Sequence, residues 1–137
     1  LSKNNIGVNM HTAQGPSQRQ LRVGEQIRQT LAEILQRGNF DHPELLDHAS
    51  EITVTEVRPS PDLRKATAYI IGLGGHNADH FLPALNESTA YFQREINKRL
   101  TLKFTPRIHF VGDASYDEGS KIDNILSKIS YAEDSDS

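Results

Sequence analysis

The sequence predicts a single α+β domain: a three-stranded sheet covered on one face by helices, with a short C-terminal helix appended. Three observations carry that reading. Two runs rich in β-branched residues, 52–58 and 65–71, flank Pro59-Ser60-Pro61-Asp62, whose turn chemistry makes them a hairpin with a long loop. In residues 86–110 an apolar period of four, set by Phe92, Ile96 and Leu100, gives way to a period of two from Leu102 onward. The resulting order is helix, strand, strand, helix, bent helix, strand. At 137 residues the chain has room for one modest core and not for two.

In chain order, residues 1–16 are Asn-, Gly-, Ser- and Gln-rich without a period and are read as a disordered extension; Leu1 opens the chain and Met10 is a candidate natural start. Ser17 with Gln20 is a capping box, and Val23, Ile27, Leu31, Ile34 and Leu35 mark an amphipathic helix that ends at Gly38. Its outer face carries Arg19, Arg22, Arg28 and Arg37. Residues 39–50 connect, with a short helical turn around Leu45 and Leu46. After the hairpin, Gly72, Gly74 and Gly75 release the chain from the sheet. Asn77 or Asp79 then caps a helix over Phe81, Leu82 and Leu85, with Pro83 in its first turn. Ser88 and Thr89 bend that helix. In the last strand Leu102, Phe104, Ile108 and Phe110 are expected to face the core, with Lys103, Arg107 and His109 facing water. Ile122, Ile125, Leu126 and Ile129 give the C-terminal helix within an appendage of residues 113–131. An acidic tail, 132–137, follows.

Charge points to a polyanionic partner once it is divided along the chain. From Val111 onward seven carboxylates face two lysines, a local charge of -5, which leaves residues 1–110 at +2 against -3 for the whole chain. Arg94, Lys98, Arg99, Lys103 and Arg107 are the main candidates for phosphate contact, and the helix and final strand are expected to present them as one cationic surface. Arg22, Arg28, Arg58, Arg64 and Lys65 are secondary candidates; for each, the ordinary alternative is a solvated charge. Cysteine is absent, which removes disulfides, thiolate metal sites and cysteine nucleophiles and fits a reducing compartment. No run is apolar enough for a membrane span, and no signal-peptide pattern opens the chain, so a cytoplasmic protein without a membrane partner is expected.

Several ordered blocks resemble the ribosome-binding factor A family of bacterial KH-type proteins. They are Val54-Thr55-Glu56-Val57-Arg58 through Ser60, Asp62-Leu63, Ala66 to Tyr69-Ile70, and Lys98-Arg99-Leu100 through Leu102, Pro106, Ile108 and Phe110. A closing segment, Asp113, Ser115, Tyr116, Ile122, Asp123 and Leu126, is similar to the family's. The resemblance implies a type II KH-like domain over residues 17–112, in the order α-β-β-α-kink-α-β. In it a helix-kink-helix with an Ala-x-Gly element replaces the Gly-x-x-Gly turn. Here the aligned positions are Ser88-Thr89-Ala90, so both signature positions differ, and Ser88 is expected to cap the second half-helix. The resemblance further implies a monomeric, cofactor-free assembly factor that binds the free small ribosomal subunit and its 16S rRNA late in maturation. It also implies support for processing near the 5′-terminal helix, contact with other assembly factors, a role in cold adaptation, and no catalysis.

Competing readings are weaker. His76 and His80, four apart beside Asp79, have the spacing of two helical metal ligands but no third, and surface histidines are the plainer account. Gly72-Leu73-Gly74-Gly75 lacks the Lys-Ser/Thr of a P-loop. Ser60, Asp62 and His109 match no serine-nucleophile motif. An adaptor reading would use the acidic tail. Of the aromatic residues, Tyr91 lies off the apolar stripe and is the best candidate for stacking on a base, while Phe92, Phe104 and Phe110 fit the core.

Overall fold

A computed structural model describes residues 15–115. The expectations for the N-terminal extension, the C-terminal helix and the acidic tail lie outside them. Helix α1, Gln18–Arg37, is followed by the short α2, Pro43–Leu46, and a 3-10 turn, Ala49–Glu51. Strands β1, Thr53–Pro59, and β2, Lys65–Ile71, form the hairpin; two 3-10 turns, Leu73–Gly75 and Asp79–Phe81, lead into α3, Leu82–Glu87, α4, Thr89–Arg99, and β3, Arg107–Gly112. The sheet order is β1-β2-β3, with β1 antiparallel and β3 parallel to β2. A parallel neighbour requires a crossover, and α3 with α4 supply it.

One face of the sheet is covered. Val54, Val57, Ala66, Ala68, Ile70, Ile108 and Phe110 are buried beneath α1 and α4, which contribute Ile27, Leu31, Ile34, Phe92 and Ile96. Alternate positions on the strands face away from the helices, and Arg58, Lys65, Arg107 and His109 are exposed there. At the outer edge of β3 the Asn86 amide donates to Phe110 O at 3.1 Å, and Phe110 N donates to Asn86 Oδ1 at 2.9 Å.

α1 begins as its sequence predicts. Gln20 N donates to Ser17 Oγ at 3.1 Å and Ser17 N to Gln20 Oε1 at 2.9 Å, the reciprocal pair of a capping box. Gln20 Nε2 also donates to Pro59 O at 3.0 Å, tying the cap to the end of β1. Ser17→Ala is expected to cost about 1 kcal/mol, read as a lower denaturant midpoint at unchanged slope. Further along, α1 lies close on β1 because position 24 has no side chain. A Cβ on Gly24 would come within 2.5 Å of Val57 O and 3.0 Å of Pro59 Cδ. Gly24→Ala would gain about 1 kcal/mol of helix propensity, yet overpacking costs about 1–3 kcal/mol, and a rigid backbone carbonyl at 2.5 Å puts this case at the upper end. The clash wins, and a net loss of up to about 2 kcal/mol is expected in the same measurement.

Three expectations need correction. The last strand begins at Arg107, not Leu102, and residues 100–106 are a loop. Pro106 has no N–H to give a ladder, so pairing starts after it; Leu102 rests partly buried against the core, while Phe104 is 43% exposed. The helical bend does fall at Ser88, but the Ser88 side chain makes no capping hydrogen bond. Its backbone, at φ -103° and ψ 17°, lacks the extended geometry that aims an N-cap hydroxyl at the following N–H groups. Tyr91 is not an open stacking platform, because its ring packs 5.1 Å from Phe40 and 5.8 Å from Phe92.

Candidate nucleic-acid interface

The two-layer build separates the cations expected to form one surface. α4 rests on the covered face of the sheet through Phe92 and Ile96, so Arg94 and Lys98 look outward from the helical layer. Arg107 lies on the opposite, open face of the sheet. Lys103 is on neither element, since the loop carries it.

Ion pairs then divide the candidates further. Lys98 Nζ lies 3.1 Å from Glu95, and Arg99 bridges Glu33 and Glu95 at 3.4 Å each. Hydrogen bonding from Lys98 is the main reason that the Glu95 carboxyl is held below its ordinary range. Arg28 grips Glu25 at 2.6 Å, and that hydrogen bond lowers the Glu25 pKa to about 2. Arg58 pairs with Glu56 at 2.7 Å and lies over the Tyr69 ring at 5.1 Å. Arg64 has Asp62 at 3.9 Å. By contrast Arg19, Arg22, Lys65, Arg94, Lys103 and Arg107 have no carboxylate within 4.0 Å among the described residues.

Most of those unpaired cations gather at one end of the domain. There the hairpin loop, the start of β3, the 100–106 loop and the first half of α1 meet. Lys65 and Arg107 are register partners on adjacent strands, and Arg107 N donates to Arg64 O at 2.8 Å. The Arg64 guanidinium lies 5.9 Å from the centre of the Phe104 ring. Phe104 and Lys103 in turn share a shallow cleft with Arg19 and Arg22 of α1.

Local chemistry fixes both loops. In the hairpin, Ser60 N donates to Lys65 O at 2.8 Å and Arg64 N to Asp62 Oδ1 at 3.0 Å. The Ser60 hydroxyl also donates to Asp62, and these two bonds to the carboxylate, the hydroxyl foremost, lower the Asp62 pKa. Leu63 takes a left-handed φ of 60° there, a strained geometry for a branched side chain, and is nevertheless buried. The 100–106 loop hangs from α4: Gln93 Nε2 donates to Pro106 O at 3.4 Å, and Thr105 Oγ1 donates to Asn97 Oδ1 at 3.2 Å.

Sequence reasoning thus missed Arg19 as a member of the cluster and placed Phe104 in the core. The signal for the second was present in Pro106, two residues beyond. The histidine pair does not converge. His76 follows one 3-10 turn, whereas His80 lies in the next with its ring 4.1 Å from that of Phe81. Among the described residues no three His, Cys, Asp or Glu side chains could share a metal ion. The Gly72–Gly75 segment closes on itself, with Gly72 N donating to His76 O at 2.6 Å, and serves as the strand exit. No helix among the described residues is long and apolar enough to cross a membrane.

An α-β-β-α-kink-α-β chain whose mixed sheet runs β1-β2-β3, with a bend between the middle helices, is a KH-like domain of the type II arrangement. A protein-family model described as ribosome-binding factor A matches residues 19–126. The chain belongs to the ribosome-binding factor A family. It is 48% identical over 118 residues to the Paracoccus denitrificans member, covering 86% of this chain and 84% of that one. To the Dinoroseobacter shibae member it is 46% identical over 125 residues, 91% of each. Among solved structures, that of ribosome-binding factor A from Thermus thermophilus has a TM-score of 0.54 at 22% identity, over 68% of this chain and 94% of that one, and so shares the fold. A Thermotoga maritima protein assigned provisionally to the family has a TM-score of 0.56 at 28% identity, over 71% and 89%.

Proposed function

We propose that this protein is a non-enzymatic assembly factor that binds the free small ribosomal subunit through 16S rRNA. It supports late maturation near the 5′-terminal helix, acting in the cytoplasm as a monomer without a cofactor. The observation that carries the reading is the cluster of unpaired cations at one end of a domain whose family is named for ribosome binding. Each Lys or Arg that meets a phosphate releases condensed counterions, giving affinity that depends on salt and little on sequence. A folded rRNA helix offers shape and backbone, and clustered cations can meet its phosphates without reading bases. The bend at Ser88 has no Gly-x-x-Gly turn to clamp a strand by its backbone, so side-chain cations carry the contact.

Arg19, Arg22, Lys65, Lys103 and Arg107, with Arg64 beside Asp62 at 3.9 Å, form the principal surface in this reading, and Arg94 with the ion-paired Lys98, Arg99, Arg28 and Arg58 contributes less. The test is co-sedimentation of the purified protein with free small subunits and, separately, with assembled ribosomes at near-physiological salt. Retention on free subunits alone is expected. Equal retention on both, or on neither, overturns the proposal.

A further inference from the structure

Phe104 combines exposure, charge and shape in a way that phosphate contact does not use. Leu21, Leu46, Leu73 and Phe104 are the exposed large hydrophobic residues of the described chain, and Phe104 alone among them is aromatic. Its ring lies beneath the Arg64 guanidinium at the lip of a cleft of about 250 Å³. Val23, Leu63, Leu102 and Pro106 contribute the apolar lining, Arg19, Arg22 and Lys103 contribute positive charge, and among the described residues no acidic one lines the cleft. That volume is just below the roughly 300–1,000 Å³ typical of pockets for drug-sized molecules, which suits one nucleobase. The loop carrying Phe104 is held to α4 through Gln93 and Asn97, so the ring is presented on a fixed support.

We propose that this cleft receives one unpaired ribonucleotide, its base stacked on Phe104 and its flanking phosphates on Arg19, Arg22 and Lys103. This rests on the RNA-binding reading above and deepens it, because phosphate contact alone makes no use of an exposed ring among cations. Bases within a duplex are covered by their neighbours and have no open face to offer, so the occupant is single-stranded. An acidic peptide would satisfy the cations but leave the ring without a planar partner.

The chain contains no tryptophan, so Phe104→Trp places a single reporter at the site. Saturable quenching of its fluorescence by hexauridylate is expected, with little quenching by duplex RNA or polyglutamate at equal charge. Phe104→Ala should weaken hexauridylate binding roughly 5- to 150-fold, the range for loss of one stacked base, with the salt slope unchanged. Since the residue is 43% exposed, Phe104→Ala should melt only slightly below the parent. Equal quenching by duplex RNA or polyglutamate, or unchanged hexauridylate affinity of Phe104→Ala, overturns the stacking proposal. In that event co-sedimentation of the parent protein with free small subunits still decides the broader function, so the two failures are separable.

Discussion

Phe92→Ala is expected to lower the unfolding free energy by about 3–5 kcal/mol, the range for emptying a buried phenyl site. The Phe92 side chain is fully buried, and its ring meets Phe110 at 4.9 Å, Phe40 at 5.7 Å and Tyr91 at 5.8 Å. Those partners come from β3, from the connection after α1 and from α4 itself, so one ring joins three parts of the chain. No single neighbour can relax into such a void without abandoning another. Because domains of this size are stable by about 5–15 kcal/mol, the variant should approach the threshold of folding, with a melting temperature lower by more than about 10 °C. Phe92→Leu should cost much less, since most of the volume remains. A calorimetric loss below about 1 kcal/mol for Phe92→Ala would show that the aromatic cluster is not the joint of the fold.

Neutralising Arg22, Lys103 and Arg107 together as glutamines should weaken binding to free small subunits on the order of 100-fold at physiological salt. If each contacts a phosphate, the dependence of log affinity on log salt should flatten by about two to three units. The same treatment of Arg94, Lys98 and Arg99 should have a smaller effect, within about tenfold. Lys98 and Arg99 already share Glu95, and Arg99 also meets Glu33, so the field they present to an incoming phosphate is partly cancelled. None of the first three is buried or ion-paired among the described residues, so that triple variant should melt with the parent, whereas the α4 set also strips Glu95 of its partners and should melt slightly lower. Equal losses from the two sets, or a larger loss from the α4 set, would move the interface to the helical layer.

The difference between those two sets marks where the sequence was legible and where it was not. α1 was readable from end to end because capping and period are local: Ser17 and Gln20 begin it and Gly38 ends it. The bounds of β2 and the bend at Ser88 were likewise carried by neighbouring residues. Even the Glu95–Lys98 pair, three residues apart on one helix, was open to reading. Arg99–Glu33 was not, because its partners stand 66 positions apart and meet only after α1 and α4 pack. The alternation from Leu102 to Phe110 misled for a different reason. Apolar spacing is indifferent to hydrogen bonding, and Pro106 ends the ladder whatever its neighbours' hydropathy. The sheet's thickness, which sets Arg107 and Arg94 on opposite sides, is a tertiary property with no local trace.

Asn86 has a consequence that reaches beyond this one molecule. Its amide occupies both main-chain groups of Phe110 that a neighbouring strand would otherwise claim. A sheet margin satisfied in this way offers a poor template for cross-β growth by another polypeptide. Removing that side chain would leave a sticky flank, and Asn86→Ala should turn cloudy on concentration or gentle warming well before the parent does.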